Sequence, residues 1–124
     1  MTLQVRGRST GMPQRIPILR TTYRGQDYLV SLAGESQWVR NVRAADGRAA
    51  LRRRRTRRAR LHEVPFEDRP EIIAEYLRAA RRRSGAAASA NSARSYFGLA
   101  PDATIDDIAR IADRYPVFRV EYEG

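Results

Sequence analysis

Arg8-Ser9-Thr10-Gly11-Met12-Pro13-Gln14-Arg15-Ile16-Pro17-Ile18-Leu19 is the stretch whose reading decides the fold. Its first half is small, polar and basic. From Ile16 it turns apolar. Gly11 tolerates positive φ and Pro13 presets φ near −65°, so the chain reverses tightly here. The turn carries a hydroxyl pair, Ser9 and Thr10, flanked by Arg6, Arg8 and Arg15. Guanidinium forks, hydroxyls and exposed backbone N–H groups suit an anionic oxygen cluster such as phosphate. The same residues also read as an ordinary hairpin turn with solvated arginines.

Working outward, Leu3–Arg6 leads into the turn as a short strand. Arg15–Tyr23 leaves it as a second one, rich in β-formers but interrupted by Pro17. Arg24-Gly25-Gln26-Asp27 forms a hairpin turn into a third strand, Tyr28–Leu32. Ser36 is placed to cap a helix over Gln37–Ala45, with Trp38, Val39 and Val42 on one face and Asn41 beside Trp38. Arg48–Val64 reads as a hairpin turning near Thr56, with Ala49 and Leu51, then Ala59 and Leu61, facing inward. Its many arginines then cover the solvent face and guard the edge. Glu67–Arg83 is predicted as a second helix, Gly85–Ala93 as a mobile Ala/Ser-rich loop, and Ile105–Tyr115 as a third helix capped by Asp102 or Thr104 with Ile105 inward. Val117–Tyr122 alternates as a final strand. Hairpin-linked short strands point to a small antiparallel barrel rather than a doubly wound sheet.

Composition narrows the chemistry. The 124 residues are expected to form one domain, 1–124, with a modest core. There is no cysteine and one histidine, which rules out thiolate and multi-histidine metal sites. Any Ser-His-Asp mechanism would rest on His62 alone. The net charge is +10, and all 24 basic residues are arginine. Such a surface attracts nucleic acid, acidic membranes or phosphorylated cofactors. Arginine without lysine, alongside abundant alanine, also has the look of codon bias. Nothing resembles a signal peptide or a transmembrane helix, so the expected location is the cytoplasm.

Two motifs together carry a resemblance to a known family. Gly7-Arg8-Ser9-Thr10-Gly11-Met12-Pro13, followed by Pro17-Ile18, resembles the Gly-Arg-x-Ser/Thr-Gly-x-Pro segment of deazaflavin-dependent nitroreductases. Ser31–Gly34, followed by Trp38-Val39-Arg40-Asn41-Val42, is similar to that family's small-residue loop and Trp-x-x-Asn helix. The resemblance runs from about Val5 to Val120. It implies an α+β fold, a split antiparallel β-barrel of about six strands with three helices in the connections. It also implies coenzyme F420, with FMN as the alternative cofactor, and transfer of a hydride to a small-molecule acceptor. By position, Arg8, Ser9 and Thr10 would hold the phosphate or tail. Pro17 would stand on the apolar wall, and Ser31, Leu32, Ala33 and Gly34 would meet the ring system. Trp38 and Asn41 would complete the pocket from a helix N-terminus. Many members carry Arg directly after the turn proline. Here Gln14 stands there, and Arg15 takes that role only where the strand shifts. Tyr96 is the nearest candidate for the substrate pocket, and a homodimer across the barrel is implied.

Other functions remain open at this level. The same fold could hold FMN or haem. It could store the cofactor without turnover. The Arg48–Arg60 stretch could act as a nucleic-acid module without catalysis, but it lacks the interleaved aromatics that stack bases, so no nucleic-acid partner is expected. No catalytic acid, base or metal ligand is identifiable.

Overall fold

A computed structural model describes residues 1–123; Gly124, the last residue of the expected domain, lies outside them. Seven strands form one antiparallel sheet: β1 (Thr2–Arg6), β2 (Pro13–Pro17), β3 (Arg20–Tyr23), β4 (Gln26–Val30), β5 (Arg48–Arg52), β6 (Thr56–Glu63) and β7 (Val117–Tyr122). Their order across the sheet is β2-β1-β5-β6-β7-β4-β3. β2 and β3 are therefore the two edges, yet only Ile18 and Leu19 join them. Three trans peptide steps reach at most about 11 Å. The sheet must curl until its edges nearly meet, which makes a half-barrel with its seam at Ile18–Leu19.

This seam corrects the reading of Arg15–Tyr23 as one strand. Pro17 has no N–H for a ladder, and β2 ends on it. The chain then crosses the split and restarts at Arg20 on the far edge. The strand count becomes seven rather than about six. Arg24 and Gly25 both take positive φ, 50° and 76°, the two-residue turn that matches strand twist.

Alternation sorts the sheet into two faces. On the concave face Leu3 pairs with Leu51, Ala49 with Ala59 and Leu61 with Val120. Helix α1 (Gln37–Ala44) seals this face with Trp38, Val39 and Val42, all buried. Trp38 meets Phe118 at 5.6 Å between ring centroids. On the other face Val30 and Val117 lie under α2 (Arg69–Ser84), whose Ile72 and Ile73 are buried with them. Gly47 enters β5 at φ 79°, where an added Cβ would strike the Leu61 carbonyl.

The helices also differ from expectation. Ala86–Phe97, expected as a mobile loop through Ala93, is helix α3. Gly85, at φ 93°, ends α2, and alanine, the best helix former, starts α3 directly after it. Phe97 anchors α3 in the core, 4.8 Å from the Tyr115 ring. The expected third helix is only α4 (Ile105–Ala109), followed by a 3-10 turn at Ala112–Arg114. Thr104 caps it in a reciprocal box with Asp107. Ile105, read as inward, is 45% exposed, while Ile108 is buried. Among the described residues no helix is long and apolar enough to cross a membrane.

Candidate functional site

The seam opens into a cavity of about 470 Å³. Pro17, Ile18 and Leu19 form one wall; Leu32, Ala33 and Trp38 form another; Tyr76 of α2 closes the end. The wall is largely apolar because the chain crosses between sheet edges there on Ile18 and Leu19. Burial holds the Tyr76 phenol above its ordinary pKa, so it stays protonated.

The β1–β2 turn borders a second opening, of about 600 Å³, with Arg6, Arg8, Ser9, Thr10 and Arg48 around it. The turn is built on its own backbone. Gly7 N–H donates to the Met12 carbonyl at 2.8 Å, and Gly11 N–H to the Gly7 carbonyl at 2.8 Å. Met12 N–H donates to Thr10 Oγ1 at 3.1 Å, which leaves the Thr10 hydroxyl proton free to point outward.

Arg8 lines the second opening and reaches from it toward the first turn of α1. Its backbone N–H and Nη1 both donate to Asn41 Oδ1, at 3.1 and 2.8 Å, and Nη2 donates to Gln37 Oε1 at 2.7 Å. The guanidinium thus lies along α1, from the turn to the helix's first residue. Both partners are neutral amides. They fix its direction and leave its charge uncompensated. Asn41 is 5% exposed, and this bond satisfies its carbonyl.

The remaining candidate residues divide. Leu32, Ala33, Pro17 and Trp38 share the seam cavity. Ser31 is fully buried; its N–H goes to the Pro116 carbonyl at 2.9 Å and its hydroxyl to the Gly34 carbonyl. It braces the loop and has no free donor for a ligand. Gly34 takes φ 68°, and a Cβ there would lie 3.0 Å from the Arg114 carbonyl. Arg15 stands opposite Gln4, on the sheet face away from Leu3 and Val5. The strand does not shift, so Arg15 joins neither opening. Tyr96 is 45% exposed at the end of α3, where its carbonyl accepts from Tyr115 Oη at 2.7 Å. It is outside the cavity wall, and Tyr76 is the phenol on that wall.

The α1 dipole also differs from expectation. The Ser9–Thr10 turn lies by Ala44 and Ala45, at the C-terminal end of α1. The positive N-terminal end faces the apolar cavity through Ser36. The cationic character of the turn is therefore arginine alone. Gln37, Tyr76, Leu19 and Arg48 were not foreseen as site residues. Tyr76 sits in an apolar helical stripe that is indistinguishable from core in sequence, and the contribution of Arg48 depends on strand order.

A charge network holds α1 against the rest. Arg43 donates to Glu63 Oε1 and Oε2, at 2.9 and 2.7 Å, and to Glu35. Glu63 Oε2 also accepts from the buried Arg69 at 3.2 Å. The Arg43 hydrogen bond holds the Glu35 carboxyl below its usual range, and the Glu63 bond pushes Arg43 up. His62 lies outside both openings, 3.2 Å from Glu121. Among the described residues no cluster of His, Asp and Glu could hold a metal.

The chain matches no family model and no curated protein sequence. Its fold is found in solved structures. It superposes on a protein of unknown function from Agrobacterium tumefaciens over 99% of its length, with TM-score 0.63 and 18% identity. It spans 48% of that protein, about half its length. It superposes on an F420-H2 dependent reductase with TM-score 0.55 and 20% identity, covering 97% of this chain and 91% of that one. A proposed 5-nitroimidazole antibiotic resistance protein from Bacteroides thetaiotaomicron gives TM-score 0.58 at 10% identity, covering 99% of this chain and 72% of the other. At such identities the likeness is one of fold: this chain is an α+β half-barrel of the architecture that the reductase uses.

Proposed function

We propose that the chain is an oxidoreductase that holds a deazaflavin of the F420 class in the seam cavity, with the cofactor's anionic tail toward the β1–β2 turn. The observation that carries this reading is Arg8, a guanidinium that among the described residues bonds only to neutral amides and reaches from the hydroxyl-bearing turn to Gln37, the neighbour of the cavity-wall residues Ser36 and Trp38. The residues fit such a group. A flat, largely apolar ring needs a wall like Pro17, Leu32, Ala33 and Trp38, and a phosphate needs an uncompensated fork. The fold shared with an F420-H2 dependent reductase supports the same choice. When bound in its reduced form, the cofactor supplies a hydride for a small organic acceptor. The chain's own residues do the rest. Pro17, Ile18 and Leu19 exclude water at the seam, Trp38 fixes one wall, Asn41 and Gln37 aim Arg8, and Tyr76 keeps a protonated hydroxyl at the cavity end. A homodimer across the barrel belongs to the same proposal, and light scattering during gel filtration checks it.

Titration of F420 fluorescence against the purified protein tests the reading, with FMN as control. A charge-assisted bond is worth about 1.5–3 kcal/mol, so Arg8→Ala should weaken F420 binding roughly 10- to 150-fold. Tighter binding of FMN than of F420 would move the assignment to a flavin reductase. An Arg8→Ala protein that binds F420 unchanged would remove the observation on which the proposal stands.

A further inference from the structure

The convex sheet face over β2, β1, β5 and β6 meets the cofactor reading only at its margin, where Arg6 and Arg48 border the turn opening. Strand register places Arg15, Arg48, Arg52, Arg58 and Arg60 on it, since each alternates with inward residues such as Leu3, Leu51 and Ala59. The Arg53–Arg55 tip adjoins it, and all three of its residues are exposed. α2 packs on β3 and β4, at the other side of the sheet. The face is strongly cationic. Arg48 stands directly opposite Arg60, an arrangement of like charges that disfavours the strand pair. Asp46 reaches Arg60 at 3.8 Å. Among the described residues, Arg15, Arg48, Arg52–Arg55 and Arg58 form no ion pair.

Elsewhere Arg43, Arg69, Arg78 and Arg110 each meet a carboxylate. Unpaired arginines also lie on the helices, Arg81, Arg83 and Arg94 among them, but on this face and its tip seven stand together. We propose that this face docks the phosphate backbone of double-stranded nucleic acid, without reading its sequence. Alternate strand residues lie about 6.6–6.8 Å apart and neighbouring strands about 4.8 Å apart. The face is thus a dense cationic grid, suited to a duplex that carries one phosphate per about 1.7 Å of axis. Bound phosphates would also relieve the Arg48–Arg60 repulsion. The absence of aromatics from these strands argues against single strands, which need bases to stack. Of the large exposed apolar residues, Leu19, Phe66, Tyr96 and Ile105 lie away from these four strands and Met12 borders them in the β1–β2 turn, so the strands themselves present no apolar side to a lipid surface.

The test is fluorescence anisotropy with a labelled 20-base-pair DNA duplex of mixed sequence. A titration across salt is run on the full chain and on two triple variants. Arg52→Gln/Arg54→Gln/Arg58→Gln removes three positive charges from the proposed face and its tip. Arg81→Gln/Arg83→Gln/Arg94→Gln removes the same charge from the helices. All six positions are exposed, and thermal melting by circular dichroism confirms that each variant folds. The expected result is micromolar duplex binding at low salt. The slope of log K against log salt should flatten by about 0.9 for each phosphate-contacting arginine lost in the first triple. The second triple should leave the slope unchanged. Equal loss in both triples would mean diffuse attraction by net charge and would overturn the proposal. Binding to phosphatidylserine vesicles or to single strands, but not to the duplex, would overturn it as well.

Discussion

Arg69→Met is the substitution for which the structure sets the clearest expectation. Arg69 is 3% exposed. Nε donates to the Val64 carbonyl at 2.8 Å, Nη1 to the Ala112 carbonyl at 3.1 Å, and Nη2 to Glu63 at 3.2 Å, while the guanidinium stacks 4.7 Å from the Phe66 ring centre. It therefore pins the end of β6 to the 3-10 turn before β7. Methionine keeps the stem's packing and removes the fork. Glu63 retains Arg43 at 2.7 Å, so no carboxylate is orphaned. The Ala112 carbonyl keeps the Tyr115 N–H at 3.2 Å, while the Val64 carbonyl loses its side-chain donor, so the expected destabilisation is about 1–3 kcal/mol. Arg69→Lys should recover little, because one ammonium cannot serve acceptors that diverge like a planar fork's. Urea unfolding followed by far-UV circular dichroism measures both variants. A loss well below about 1 kcal/mol in Arg69→Met would show that water satisfies the Val64 carbonyl and that the buried fork is not what joins the layers.

Trp38→Ala removes a buried ring against Phe118 and should cost about 3–5 kcal/mol; since Trp38 is the sole tryptophan, circular dichroism must report it, and full stability with lost cofactor binding would refute the packing role. Arg53→Gln/Arg55→Gln should leave F420 affinity within a few-fold, because the tip lies outside both openings; a hundredfold loss in the titration would place the tail at the hairpin instead. Arg82 and Arg43 hydrogen bonds hold the Glu75 and Glu35 carboxyls below their ordinary values. A depressed carboxyl stabilises the fold fully above its unfolded pKa of about 4.3 and loses that stabilisation as pH falls toward the folded value. Thermal midpoints should therefore drop below about pH 4.3, and Glu75→Gln should flatten that drop; an unchanged acid limb would mean the Arg82 pair is solvated.

Much of the barrel was legible in local sequence. The hairpins announce themselves by period-two alternation around Gly11, Gly25 and the Arg53–Arg55 tip, since strand faces and turn φ values are local properties. α1 was legible for the same reason: Trp38, Val39 and Val42 form a stripe that could face only one way. Local residues could not reveal which strands become neighbours. Pro17 marked an interruption, but that Ile18–Leu19 spans the seam follows from sheet order, a non-local quantity. Ala86–Phe97 looked like a loop because low complexity hid the helix propensity of alanine. Ser31 and Arg15 look like binding residues in sequence. The Pro116 carbonyl takes the Ser31 N–H, and pairing with Gln4 turns Arg15 outward. The bond from Arg8 to Asn41 spans 33 positions, and the burial of Arg69 depends on Ala112, 43 positions away. Sequence determined which segments pair locally and which faces are apolar. Only the closed sheet decided which polar groups remain free, because a donor's availability depends on acceptors brought beside it from distant parts of the chain.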